Sequence, residues 1–375
     1  MNYNDLLNLR SKIVELYYKT YNDYIIESPT GLEDKHDITL DFTNCTICLA
    51  KENILKEKIG NNYVVCQPCL RNNNFQELSD VNKELNYMNY FTMLGGYHYI
   101  KNNSQKEEEF NKIVKRQYKF LKEVSNGSKI RLTIPSQFEK YLKLSKETMT
   151  KIKSDNNLIE YQENELLNLK WKYGIDGIIG YGTRWEVQNI NGEYVNCGND
   201  ILLYKNNRAI GIDFGSGLET LVSLLNGEKN LLYSNKVCSD KVKKFCSGNA
   251  IKEKIVNALV SLICCKYYKS SKTIRVEYII GLYIRIIAAY LEYIDCDTRV
   301  IIELSQDICT SLCISNNEIS EIYLQILKQR AFINSILLTQ EAGKFLLNNE
   351  KMLIESRKKE WSEINEKTRK IKKRR

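Results

Sequence analysis

The chain changes character at about Gly215, and this change constrains its fold more than any other feature. Before it, short segments rich in β-forming residues alternate with turns, at 38–43, 62–65, 87–94, 130–134, 184–188, 200–205 and 208–214. Beyond it, apolar residues recur at helical spacing almost to the end. Strands followed by a run of helices are typical of the α+β class. We therefore predict an antiparallel β-sheet flanked by helices, followed by an α-helical C-terminal domain.

Two helices accompany the predicted strands, and a long apolar stretch lies in the helical part. Helical spacing predicts helices from Asn4 to about Tyr24 and from Gln105 to Val124. The apolar stretch 278–294 contains Arg285 and is shorter than the roughly 20 residues that span a bilayer, so we expect a buried helix there. The amino terminus has no apolar core of the signal-peptide type, which predicts a cytoplasmic protein without a membrane partner.

The positive charge is concentrated at the carboxy terminus. The 375-residue chain has a net charge of +9, and residues 356–375 hold ten Lys or Arg against three Glu. A basic segment gains affinity for a polyanion by releasing counterions, so a nucleic acid is one predicted partner. The alternative is a solvated end that only keeps the chain soluble. We treat residues 351–375 as a basic tail following a helical domain at 236–350.

Four of the twelve cysteines form two close pairs. Cys45 and Cys48 are followed, after a 17-residue gap, by Cys66 and Cys69. This spacing is typical of a structural zinc site with four thiolate ligands, and it predicts a zinc clip at residues 45–69. A site with four thiolates has no open position, so the metal would stabilise the fold and take no part in catalysis. The alternative is four reduced cysteines without a metal.

Several sequence blocks resemble alanyl-tRNA synthetases, in the same order along the chain. "FTN" (42–44), "CQPCLRNNN" (66–74) and "YFTMLGGYHY" (90–99) are similar to the FTNAGM, SQRCVRAGG and FFEMLGNFSF patterns of that family. "WKYGIDGIIGYGTRWEV" (171–187) resembles its glycine-rich stretch, and "IGIDFGSGLETL" (210–221) resembles its VDTGMGLERL block. The resemblance covers roughly residues 5–230. It implies a class II aminoacyl-tRNA synthetase-like catalytic domain at 1–235.

The resemblance implies an ATP site. Arg71 matches the motif-two arginine, whose planar guanidinium suits bidentate contact with the α-phosphate. Tyr90 and Met88 would form a wall against adenine, although alternating aromatic residues are also common in the core of a sheet. Gly215 and Gly217 would let ATP approach the backbone closely.

The resemblance also implies an amino-acid site. Asp213 follows an apolar strand and precedes a glycine-rich turn, where the family's aspartate holds the substrate ammonium group. An aspartate at this point in a strand also serves often as a turn or cap residue. Asn199 and Trp171 match residues that orient and enclose the amino acid. Glu186 is the candidate for positioning magnesium, since Arg184 occupies the family's glutamate position when no gap is allowed.

Two departures from the family pattern bear on activity. The motif-three arginine is Thr220 here, which removes a cation expected beside ATP. Cys45, Cys48 and Cys66 replace residues other than cysteine, so the zinc clip would be an addition of this chain.

The sequence therefore predicts a ligase of protein biosynthesis that uses ATP, magnesium and a structural zinc. It would activate a small, alanine-like amino acid as its aminoacyl adenylate and transfer it to a tRNA or tRNA-like acceptor. One alternative is a paralogue that loads a carrier protein or a small metabolite. The other is a non-catalytic module that binds RNA or a protein partner, which the loss at Thr220 favours.

Overall fold

The computed structural model describes residues 1–32, 42–71, 75–85, 87–163, 170–171, 173, 175–268 and 274–337. The predicted basic tail lies outside these residues, as does residue range 38–41 of the first predicted strand. Within them, the protein is an α+β structure, with a large sheet flanked by helices and a helical C-terminal region.

The described strands form one ten-stranded sheet. They are β1 (Ile25–Ile26), β2 (Tyr63–Leu70), β3 (Tyr90–Tyr99), β4 (Ile130–Pro135), β5 (Leu158–Gln162), β6 (Lys170–Trp171), β7 (Ile178–Gly182), β8 (Arg184–Gln188), β9 (Tyr194–Lys205) and β10 (Arg208–Gly217). Their order is β1-β2-β3-β10-β9-β8-β4-β5, while β7 pairs with β9 and β6. The predicted antiparallel arrangement is confirmed for all pairs except two, β1 with β2 and β4 with β5, which are parallel.

Helices flank the sheet and make up the C-terminal region. Those before or between strands are α1 (Tyr3–Thr20), α2 (Lys51–Leu55), α3 (Phe75–Ser79), α4 (Lys106–Val124) and α5 (Lys146–Lys153). Those that follow the sheet are α6 (Leu218–Asn226), α7 (Asp240–Cys246), α8 (Ala250–Tyr267), α9 (Ile274–Tyr293), α10 (Val300–Leu312) and α11 (Ile319–Leu337). The predicted helices at 4–24 and 105–124 correspond to α1 and α4. No helix among the described residues is long and apolar enough to cross a membrane.

The two faces of the sheet have different environments. Strand residues alternate between faces, so each strand contributes to two sets of contacts. One face packs against α1, α4 and α6, with Phe214 of β10 stacked on Tyr21 beyond the end of α1 at a ring distance of 4.9 Å. The other face carries a smaller apolar cluster that includes Ile201, Leu203 and Tyr97. This second face remains partly open and holds the cavity described below.

A third apolar cluster joins the helical region to the start of β3. It contains buried residues of α8, α9, α10 and α11 together with Leu70, Leu78, Met88 and Tyr90. The apolar stretch 278–294 lies in α9 except for its last residue, and Tyr283 and Ile287 of this helix are fully buried, so the predicted buried helix is confirmed. The domain division at residue 235 stays a prediction.

Candidate active site

A cavity of about 320 Å³ opens on the second face of the sheet. Four elements contribute to its wall: the centre of the sheet, the end of β2, the segment before α2 and the segment around β6. Six of the residues predicted from the sequence line it, namely Cys45, Arg71, Trp171, Asn199, Asp213 and Gly215. The fold therefore brings together residues that are up to 170 positions apart in the chain.

Asp213 lies in the middle of β10, one of the central strands. Its carboxylate accepts a hydrogen bond from the Tyr173 hydroxyl at 2.6 Å and one from the Thr46 hydroxyl at 3.5 Å. Burial raises the pKa of Asp213 to about 6, while the two hydroxyl donors and the charge of Lys51 act in the opposite direction. The side chain is therefore mainly ionised at neutral pH. A buried carboxylate that faces a cavity is a natural partner for an ammonium group.

Asn199 faces the cavity because of the strand register. Asp213 of β10 pairs with Ile201 of β9, and Gly215 pairs with Asn199, so alternate residues of both strands point to one face. The Asn199 amide donates a hydrogen bond to the Thr183 carbonyl oxygen at 2.8 Å, which orients the side chain.

Two glycines of β7 provide the space in which Trp171 and Tyr173 lie. A Cβ atom on Gly182 would come within 2.5 Å of the Trp171 ring, and one on Gly180 would lie 3.4 Å from the Tyr173 ring. Both glycines belong to a strand, although glycine is uncommon in the interior of strands. Their function here is to leave room for two aromatic rings at the edge of the cavity.

Arg71 directly follows β2 at the rim of the cavity. Its guanidinium group lies over the ring of Phe91, with 4.6 Å from the Cζ atom to the ring centre. Its side chain is solvent exposed, so it can contact a ligand. Its backbone is fixed by Asn89, whose carbonyl accepts from the Arg71 N–H at 2.9 Å.

The predicted adenine wall is not part of this cavity. Tyr90 and Met88 are buried in the apolar cluster of the helical region. Tyr90 is adjacent to Phe91 in β3, and successive strand residues point to opposite faces. The aromatic ring beside Arg71 is thus that of Phe91, one residue from the predicted position. Gly217 does not line the cavity and is the N-cap residue of α6.

Glu186 does not line the cavity, so the predicted role in positioning magnesium is not supported. Its carboxylate accepts hydrogen bonds from Arg131 at 2.7 Å and from the Thr133 hydroxyl at 2.9 Å. The side chain is buried and already paired with a cation. It serves as the partner of Arg131 between β4 and β8.

The predicted zinc clip is not formed in the structure. Cys66 and Cys69 are three residues apart in β2, so their side chains point to opposite faces of the sheet. Cys66 packs beside the cluster of α1 and α4, whereas Cys45 and Cys48 lie near Cys69. Burial raises the pKa of the Cys69 thiol, and the nearby thiols of Cys45 and Cys48 raise it further. Among the residues that the structure describes, no three His, Cys, Asp or Glu side chains are grouped to hold a metal.

Lys51, Thr46 and Tyr173 are among the cavity residues that were not predicted from the sequence. All three line the cavity, and Lys51 is fully buried at the start of α2. Lys51 and Thr46 lie shortly after "FTN", and Tyr173 lies two residues after Trp171. Each therefore follows a block that the family resemblance had already identified.

Comparisons with known proteins give only distant similarity. No protein-family model and no curated protein matches the chain. Among solved structures, the RNA binding domain of threonyl-tRNA synthetase from Cryptosporidium parvum has 10% identity and a TM-score of 0.36, covering 59% of this chain and 63% of that one. Asparaginyl-tRNA synthetase from Entamoeba histolytica, in complex with asparaginyl-adenylate, has 10% identity and a TM-score of 0.31, covering 62% and 66%. The chain spans just under two thirds of either structure.

Proposed function

We propose that the chain is an ATP-dependent ligase that forms an aminoacyl adenylate from a small amino acid and passes the acyl group to an acidic acceptor. The observation that carries this proposal is that Arg71 and Asp213 line one cavity. A cation exposed at the rim and a carboxylate buried in the wall match the two charges of the reactants, a phosphate and an ammonium group. The alanyl-tRNA synthetase-like blocks of the sequence support the same reaction.

The reaction needs little from the protein beyond positioning and charge. A carboxylate oxygen of the amino acid attacks the α-phosphorus of ATP, and pyrophosphate leaves as the acyl-phosphate bond forms. Asp213 holds the ammonium group, and Arg71 stabilises the negative charge that develops on the α-phosphate oxygens. Lys51 provides a second positive charge in the same cavity, where it offsets the repulsion between the two anionic reactants.

The walls of the cavity favour a small amino acid. Trp171 and Ile201 occupy the space around Asp213, and the whole cavity measures about 320 Å³. This volume is at the lower end of the usual range for ligand sites, roughly 300–1,000 Å³. A nucleotide leaves little space in it for a large amino-acid side chain.

The Gly182→Ala substitution tests whether Trp171 forms that wall. Its new Cβ would meet the Trp171 ring at 2.5 Å and displace it. Overpacking of this kind costs about 1–3 kcal/mol, so we expect the KM for the amino acid to rise about tenfold. Gly31→Ala is the matched control, because a Cβ there meets its nearest neighbour, Tyr268, at an ordinary 3.6 Å. Equal KM values in both variants would contradict the assignment.

The Lys51→Met substitution tests whether Lys51 recognises the substrate carboxylate. A charge-assisted hydrogen bond contributes about 1.5–3 kcal/mol, so we expect the amino acid to bind about tenfold or more weakly to the variant. An amino alcohol, which keeps the ammonium group and lacks the carboxylate, should bind both proteins equally. Calorimetric titration of the two ligands measures this difference. If Lys51→Met weakens the binding of both ligands by the same factor, the lysine acts through Asp213 and does not bind the substrate carboxylate.

The proposed activity is tested by ATP–pyrophosphate exchange with a panel of amino acids. We expect exchange that depends on one or a few small amino acids. Binding of ATP without exchange would favour the non-catalytic module, which is consistent with Thr220 at the position of the family's motif-three arginine. Exchange with no acylation of total tRNA would favour a carrier protein or a small metabolite as acceptor.

The basic tail is proposed to attract the acceptor. It carries most of the net charge, and it follows every residue of the cavity by more than 130 positions. Deletion of residues 351–375 should weaken tRNA binding. It should also reduce the slope of log K against log salt concentration by roughly 0.7–0.9 for each phosphate contact that is lost. Adenylate formation needs no acceptor and should persist. An unchanged salt dependence in a filter-binding assay would indicate that the tail only aids solubility.

A further inference from the structure

We propose that helices α8 and α9 set the position of Arg71 in the cavity through the buried side chain of Asn89. The link between the helices and Arg71 is argued from hydrogen bonds. Its expected effect on ATP binding rests on the proposed function. Asn89 precedes β3 and is fully buried. It lies between Arg71 on one side and the helical region on the other.

Asn89 holds the backbone of Arg71 by two hydrogen bonds. The Arg71 N–H donates to the Asn89 carbonyl oxygen at 2.9 Å. The Asn89 side-chain amide donates to the Arg71 carbonyl oxygen, also at 2.9 Å. Both polar groups of the Arg71 backbone are thus bonded to one residue, and any shift of Asn89 moves Arg71 with it.

The helical region holds Asn89 by two further hydrogen bonds. Its backbone N–H donates to the Asn257 side-chain oxygen of α8 at 2.9 Å, and its side-chain amide donates to the Tyr283 hydroxyl of α9 at 3.1 Å. An amide NH₂ group has two donor positions. In Asn89 one bonds Arg71 and the other bonds Tyr283, so the side chain bridges the two directly.

Burial makes this bridge sensitive to small changes. Asn89 and Tyr283 are fully buried, and Asn257 is 2% exposed, so water cannot replace a lost partner easily. The guanidinium group of Arg71, by contrast, lines the cavity and rests on the ring of Phe91. Its direction therefore depends on where its backbone is held. A misplacement of about 1 Å at a reacting group can cost about a hundredfold in rate.

Helix α9 also forms a hydrogen bond to a residue that lies between Arg71 and Asn89 in the sequence and contacts neither of them through this bond. The Tyr290 hydroxyl of α9 donates to the Leu78 carbonyl oxygen at 2.6 Å. Like the Tyr283 hydroxyl, the Tyr290 hydroxyl belongs to a buried tyrosine of α9. It does not reach Asn89, and so it provides a matched control.

The test compares Tyr283→Phe with Tyr290→Phe, each of which removes one buried hydroxyl from α9. In the exchange assay, Tyr283→Phe should raise the KM for ATP about five- to tenfold and leave the KM for the amino acid unchanged. Tyr290→Phe should change neither value by more than about twofold. Equal effects of the two variants on ATP, or no effect of Tyr283→Phe, would overturn the inference.

A second measurement does not depend on catalysis. Hydrogen exchange at the Arg71 amide reports its bond to Asn89, so Tyr283→Phe should reduce the protection of that amide and Tyr290→Phe should not. If the wild-type protein exchanges no pyrophosphate, the proposed function fails, and the amide protection alone then decides this inference. Unchanged protection in Tyr283→Phe would overturn it.

Discussion

The Arg71→Ala variant should form the adenylate at least about a hundredfold more slowly than the wild-type protein. Removing one donor that stabilises charge in the transition state costs about 2.7–4 kcal/mol, which corresponds to a factor of roughly 100 to 1,000 in rate. Arg71 is the arginine at the rim of the cavity, and its side chain is exposed there. The measurement is kcat/KM for ATP in pyrophosphate exchange at a saturating concentration of the amino acid.

Arg131→Ala is the matched control for Arg71. Arg131 is paired with Glu186 at 2.7 Å and does not line the cavity. It should lower the free energy of unfolding without a comparable loss of exchange. A wild-type rate for Arg71→Ala would mean that its guanidinium group does not contact the reacting phosphate.

The Asp213→Asn variant should lose capture of the amino acid and retain binding of ATP. The amide has the same shape as the carboxyl group and still accepts the hydrogen bond that Tyr173 donates at 2.6 Å. It cannot neutralise an ammonium group, and loss of a buried charge pair costs about 2–5 kcal/mol. We expect the KM for the amino acid to rise by about a hundredfold or more, with the KM for ATP within about twofold of the wild-type value.

The pH dependence of amino-acid binding to the wild-type protein should reveal the ionisation of the Asp213 carboxyl group. The pKa of Asp213 is raised to about 6 by burial, so a proton competes with the ammonium group below that pH. Amino-acid affinity should therefore be constant above about pH 7 and fall as the pH decreases through 6. In Asp213→Asn this part of the pH profile should be absent.

Asp200→Asn is the control for Asp213. Asp200 is also buried, and its pKa is raised to about 7 by burial. It lies on β9 next to Ile201, so its side chain points to the opposite face, where Trp185 donates to it at 2.6 Å. The KM for the amino acid should not change in this variant. An equal loss in both variants would indicate a general effect of buried charge on the sheet.

Local patterns in the sequence were sufficient to predict most of the sheet. The predicted strands at 130–134 and 184–188 match β4 and β8 closely, because both are short runs of β-forming residues between turns. Strand β7 was not predicted, and its Gly180 and Gly182 are residues that weaken the interior of a strand. Their place in the sheet becomes clear only with Trp171 and Tyr173 packed against them, which is a tertiary contact.

Two of the predicted site residues, Asp213 and Asn199, line the cavity, and their roles stay predictions. Asp213 and Asn199 face the cavity because β9 and β10 pair in a register that puts both on one face. Tyr90, predicted as part of an adenine wall, is buried in the helical cluster, whereas the ring of its neighbour Phe91 lies beside Arg71, because in a strand one residue reverses the direction of the side chain. The same geometry separates Cys66 from Cys69, although their spacing is typical of a zinc site.

Titration calorimetry with an aminoacyl sulfamoyl adenosine, an unreactive analogue of the adenylate, tests the central claim most directly. The alanyl form should bind the wild-type protein at one site per chain. Because Asp213 contacts the ammonium group and Arg71 contacts the sulfamoyl group of the analogue in our proposal, each single variant should bind at least about tenfold more weakly, and the double variant should show no measurable binding. Binding of equal strength to the wild-type protein and the double variant, or no binding to the wild-type protein by any aminoacyl form, would contradict the claim that this cavity holds an aminoacyl adenylate.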